Sequence, residues 1–209
     1  MQGSSTTTSF KTQMNNNFNG DYMHGSIFVF LKRFVENSYD FSTWIRLSEE
    51  TGINRTMYQM NEMYPVQELT AVVEALSTLS GKDKYQVLEE FGTFLVTDLL
   101  LIFKKFVDPS WGTFEMIQYT EQYLHGAVRR QDERTNPPRL FVTKVNKNLL
   151  VVDYYSKRRM ASIAVGIIKG ITIYFNEAAD YKVWPVTDLE AERVQIRLER
   201  LQETPQQQA

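Results

Sequence analysis

The chain has 209 residues, 43% hydrophobic and 23% charged, the makeup of one ordinary globular domain large enough to bury a core. Its 23 Lys and Arg nearly cancel 25 Asp and Glu, so no strong field favours nucleic acid or an anionic membrane surface. With no cysteine, disulfides, zinc–thiolate sites, iron–sulfur clusters and a cysteine nucleophile are excluded, and a reducing, cytoplasmic setting fits. Only His24 and His125 can carry imidazole chemistry.

Residues 1–22, rich in Ser, Thr, Asn and Gln, lack the basic, apolar and small-residue segments of a signal peptide. They read as a disordered leader, with Met23 as an alternative start. From Gly25, the apolar residues Ile27, Phe28, Phe30, Leu31, Phe34 and Val35 recur at helical spacing. Asp40 to Thr51 is a second predicted helix, closed by Gly52, and Tyr64-Pro65 opens a third that runs to Gly81. Lys84 begins a fourth that passes Gly92 and ends near Phe106.

After the turn at Asp108-Pro109-Ser110, Trp111 to Arg130 is predicted helical, and Pro137-Pro138 cannot continue it. Leu140 to Lys144 and Leu149 to Tyr155 are β-rich around Asn146-Lys147-Asn148, a hairpin turn. Arg159 to Phe175 returns to helix. Arg193 to Leu201 has the alternation of a half-buried strand, for which Tyr181 to Val186 is a partner, and residues 202–209 form a polar, disordered tail. The expected architecture is α+β: a helical N-terminal half, then a small antiparallel sheet of about four strands with a helix inserted between its hairpins. One domain over 23–201 is expected, divided into a helical subdomain (23–85) and a second part (86–201). The apolar stretches Phe91–Phe106 and Ala161–Phe175 are too short to span a membrane, and no glycine loop suited to phosphate is present.

On a helical wheel, His125 sits at the edge of the arc made by Phe114, Ile117, Leu124 and Val128, so its imidazole is predicted to face the interior. Alone, such a histidine is more often a hydrogen-bonded core residue than a ligand. Strand periodicity places Tyr154, Ser156 and Arg158 on one face, a phenol, a hydroxyl and a guanidinium offering donors in one direction. That row suits a carboxylate, which Arg158 can hold in a bidentate fork; without context, a solvated strand end is the plainer reading.

Tyr154-x-Ser156-x-Arg158, preceded by His125 and Pro137-Pro138, resembles the signature of the haem-nitric oxide/oxygen binding (H-NOX) domains, the sensor domains of soluble guanylate cyclases. The likeness extends from Met23-His24-Gly25 through Glu90-Phe91-Gly92 to the stretch from Ile163 to Phe175. It implies a haem b held between the helical half and the sheet, with His125 as the proximal iron ligand. Tyr154, Ser156 and Arg158 would bind the propionates, and Pro138 would press on the macrocycle. The position that separates oxygen binders from nitric oxide binders falls at Ile163. Leu31 and Leu95 are two further distal positions, and all three are apolar. A pocket without a donor favours NO and CO over oxygen at ferrous haem, since Fe–O₂ needs a hydrogen bond more than Fe–NO does.

The resemblance further implies a bacterial, non-enzymatic sensor that signals to a separate histidine kinase, cyclic-di-GMP enzyme or cyclase. Where many members carry Leu-Asp, this chain has Glu121-Gln122. Glu121 is expected at a solvent-facing edge, because a buried unpaired carboxylate is costly, with acceptance of the imidazole N–H as the alternative. His24 is read as a surface or capping residue. The competing function is a haem-free interaction module in which His125 is structural and the donors bind another carboxylate ligand or a protein. A peroxidase-like enzyme would need a distal acid–base group that the aliphatic positions do not supply.

Overall fold

The computed structural model describes residues 21–53, 55 and 57–201. The expected leader lies outside them up to residue 20, and the expected tail, 202–209, lies outside them entirely. Asp21 and Tyr22, which the sequence places with the leader, are built into the fold. Strand β1 (Tyr22–His24) pairs antiparallel with β2 (Met63–Pro65), and the Asp21 carbonyl accepts the Val66 N–H at 3.0 Å. Three residues per strand are too few for alternation to reveal.

Helix α1 (Gly25–Ser38) is capped by His24, whose Nδ1 lies 2.8 Å from Ser26 Oγ. Burial lowers the His24 pKa, with Asp132 opposing and Arg134 adding to the effect. Asp40 caps α2 (Phe41–Thr51) by accepting the Thr43 N–H at 2.7 Å, and Gly52 ends it in the left-handed conformation at φ 68°. α3 (Val66–Ser80) and α4 (Lys84–Phe103) follow. The inward faces of α1, α3 and α4 bury Phe28, Leu31, Leu69, Val72, Leu76, Phe91 and Leu95 in one apolar cluster.

Beyond α4 the predicted single helix over Trp111–Arg130 divides into α5 (Thr113–Tyr119), a π-helical segment (Thr120–His125) and α6 (Gly126–Gln131). Next come β3 (Arg139–Asn146) and β4 (Leu149–Tyr155), then α7 (Ala161–Tyr174), β5 (Tyr181–Pro185) and β6 (Arg193–Arg200). The sheet is antiparallel in the order β3-β4-β6-β5. Leu150, Val152, Tyr154, Val194, Ile196 and Leu198 point inward and pack with Phe114 and Ile117 of α5 and Val165, Ile168 and Ile171 of α7 in a second cluster.

The two clusters are joined where α4 crosses α7. A Cβ on Gly166 would stand 2.0 Å from the Glu89 carbonyl oxygen, and one on Gly92 would stand 2.2 Å from that of Ile163. Glycine at both positions lets the two backbones touch, and the Thr93 hydroxyl donates across the crossing to the Gly166 carbonyl at 3.1 Å. This contact fixes Leu95 on α4 and Ile163 on α7 against the same N-terminal cluster as Leu31. No helix among the described residues is long and apolar enough to cross a membrane.

Candidate functional site

His125 closes the π-helical segment, and its side chain is mostly buried. Single π turns inside helices are uncommon and recur at functional sites. The segment interrupts the regular period that the helical wheel assumes. Within α6, Ala127 is buried and Val128, which the wheel puts in the apolar arc, is only partly buried.

Glu121 takes the role that the sequence left as its alternative. Its side chain is 29% exposed, as at an edge, yet it is the acceptor at the centre of a network that includes the imidazole of His125. Its Oε2 lies 2.9 Å from His125 Nδ1 and takes the Leu140 backbone N–H at 3.1 Å, and its Oε1 accepts from Arg129 Nη2. Burial pushes its pKa up, but the hydrogen bonds from His125 and Arg129 outweigh that and hold it at about 2. An ionised carboxylate only accepts, so Nδ1 of the imidazole must donate, and in neutral imidazole Nε2 is left with its lone pair.

The same carboxylate connects His125 to the sheet. Leu140 is the register partner of Tyr154 on the neighbouring strand, so the Glu121 contacts bring the histidine segment, the start of β3 and the end of β4 together. Pro137 and Pro138 stand immediately before β3, half-buried.

β4 ends at Tyr155, so Ser156 and Arg158 are not in the strand, as periodicity placed them, but in the turn that leads to α7. Arg159, with φ 54°, reverses the chain there. The turn still brings the three donors together. The Ser156 hydroxyl accepts the Arg158 N–H at 3.2 Å. Burial raises the pKa of the Tyr154 phenol, while the Ser156 hydroxyl and the Arg158 charge pull it down.

Only 9% of the Arg158 side chain is exposed, although it carries a charge, and it already holds a carboxylate. Its Nη2 donates to Asp21 Oδ1 at 2.8 Å and to the Tyr22 carbonyl at 3.0 Å, and Nη1 donates to the Asn136 carbonyl at 2.5 Å. Nε lies 2.7 Å from Asp21 Oδ2 but is misaligned, which leaves this buried N–H without a proper acceptor. Asp21 thus occupies the kind of position that an external carboxylate would take. The leader boundary drawn at Met23 hid this contact.

Leu31 and Leu95 are buried at 0% and 1% exposure, and Ile163 is partly buried against their cluster. The structure therefore places the three aliphatic residues in one apolar cluster. Among the described residues, no charged side chain is buried in that cluster.

The haem-NO-binding family model matches residues 24–183, and the chain belongs to this family. Three solved structures illustrate the likeness of fold. An H-NOX protein from S. oneidensis carrying a triple substitution, in the Fe(II) ligation state, superposes with a TM-score of 0.79 at 22% identity, covering 88% of this chain and 98% of that one. The S. oneidensis protein in the Fe(II)NO state gives 0.76 at 21% identity, covering 86% and 100%. In the Fe(II)CO state, the Shewanella oneidensis domain gives 0.73 at 21% identity, covering 86% and 99%. None of the curated protein sequences matches the chain.

The residues present fit the group that this family binds. A haem carries two carboxylates and needs an axial nitrogen. The donor set of Tyr154, Ser156 and Arg158 is of the right kind for the first, with one buried guanidinium N–H lacking an aligned acceptor. The Nδ1-anchored imidazole of His125 is of the right kind for the second.

Proposed function

We propose that this protein is a haem b gas sensor that binds NO and CO, holds oxygen poorly, and signals by a change of shape to a separate effector. The observation that carries the reading is the Glu121 junction, which joins an imidazole with a free Nε2 to the strand pair leading into the Tyr154, Ser156 and Arg158 donors. Ferrous haem would supply an axial position at which a diatomic gas binds.

His125 would hold the iron through Nε2, the nitrogen away from Glu121. Arg158 takes a propionate by charge-assisted hydrogen bonds, helped by the hydroxyls of Ser156 and Tyr154, while Pro138 bears on the macrocycle. Leu31, Leu95 and Ile163 form the distal wall and keep water and hydrogen-bond donors away from the bound gas. Oxygen, whose complex needs a donor more than that of NO does, is thereby disfavoured.

Were NO binding to loosen the hold of His125, the π-helical segment would be free to shift. Glu121 passes the shift to β3, an edge strand of the sheet, where the altered surface is read by a histidine kinase, a cyclic-di-GMP enzyme or a cyclase in trans. No residue in this account transforms a substrate, so the output is a conformation and not a product. Peroxidase chemistry would require a distal acid or base where these aliphatic residues stand.

His125→Gly tests the assignment. The variant is expected to lose haem or to bind it only when imidazole is added, with a spectrum that depends on imidazole concentration. A wild-type haem spectrum in the variant without imidazole would contradict the role of His125.

A further inference from the structure

His125 does not stand alone on its helix. Its Nδ1 lies 2.9 Å from a carboxylate that is itself fixed from two other directions, by Arg129 on α6 and by the Leu140 N–H at the start of β3. These contacts settle more than which nitrogen is free. A carboxylate that accepts an imidazole N–H increases electron density at the far nitrogen and fixes the plane of the ring, which makes the imidazole a stronger donor to a metal.

We propose that Glu121 is a positioning residue that sets the strength of the His125–iron bond, and with it how readily NO breaks that bond. The proposal rests on the reading of His125 as the axial ligand. Glu121 strengthens the bond from behind the ring, and Arg129 moderates it. The guanidinium and the Leu140 N–H share the carboxylate's negative charge with the imidazole, so the charge available to polarise Nδ1–H is less than that of a free carboxylate. Because one carboxylate contacts α6, the π-helical segment and β3, the same residue that resists breaking of the bond also links the histidine to the sheet.

A residue that only holds the helix in place and one that tunes the imidazole respond differently to two substitutions. Glu121→Gln removes the charge and keeps the size. Arg129→Ala removes the competitor and leaves the carboxylate. The measurement is the iron–histidine stretching band of the reduced, gas-free protein in resonance Raman spectra, together with the five-coordinate share of the NO complex by absorption.

Tuning by Glu121 gives opposite signs. Glu121→Gln lowers the stretching frequency, raises the five-coordinate share and speeds haem release about 10-fold. Arg129→Ala raises the frequency and lowers the five-coordinate share. A frequency unchanged in Glu121→Gln, or moved in the same direction by both substitutions, overturns the proposal. Should Glu121→Gln not fold, Arg129→Ala decides alone, since a frequency that does not rise contradicts the moderation by Arg129. A wild-type protein with no iron–histidine band, or with no haem after reconstitution, overturns instead the reading of His125 beneath it.

Discussion

The side chains of the site separate by what holds them. Arg158 is nearly buried and forms several charge-assisted contacts, whereas its neighbour Lys157 is exposed. Losing a hydrogen-bonded charged group costs about 1.5–3 kcal/mol, so Arg158→Ala is expected to speed haem transfer to an acceptor apoprotein by about 10- to 100-fold. Lys157→Ala should change it by no more than about 2-fold. Equal effects would show that position and not charge governs retention. On the proposed distal wall, Ile163→Tyr would place a phenol donor beside the bound gas, and a stable oxygen spectrum in air is the expected outcome; a spectrum in air no different from that of wild type would show that Ile163 does not decide gas choice. The residue types were legible in the sequence, since His125 and the row at Tyr154, Ser156 and Arg158 stand out in a chain with two histidines. For Glu121 the sequence favoured the edge and kept the imidazole contact as the alternative, because solvation argues a lone carboxylate outward and only the structure supplies its three donors. The spacing Glu121, His125, Arg129, each four apart, was the signal available.

Among the elements, long amphipathic helices and the hairpin strands could be read directly, because a period of 3.6 or 2 repeats often enough within them to be recognised. The β1–β2 ribbon and the π-helical segment could not. One is too short for a period, and the other depends on a local hydrogen-bond shift that leaves the apolar pattern nearly intact. The crossing of α4 and α7 is the element-scale feature on which the most rests. Glu89 and Lys169 pair across it, and its glycines permit backbone contact. Gly166→Ala would drive a methyl group into the Glu89 carbonyl, so a loss of about 1–3 kcal/mol in stability is expected from denaturant unfolding. Because the crossing carries Ile163 and Leu95, the proposed distal wall should loosen with it. A variant as stable as wild type would mean that the two helices separate at little cost.

At the scale of the whole molecule, an apolar helical cluster that holds Leu31, Leu95 and Ile163 meets an α/β cluster that holds Tyr154, next to the turn with Ser156 and Arg158. A bound planar cofactor between them would feel both, and a gas that acts on the His125 side would change how they fit. The proposed sensor detects NO through ferrous haem held by His125 and rejects oxygen for want of a distal donor. The most direct test is the absorption spectrum of the reduced, haem-reconstituted protein recorded without gas, in air and with NO. A five-coordinate ferrous spectrum that is unchanged in air and shifts with NO is the expected result. A stable oxygen complex would contradict the selectivity, and the absence of a Soret band would contradict haem binding itself and favour the haem-free interaction module.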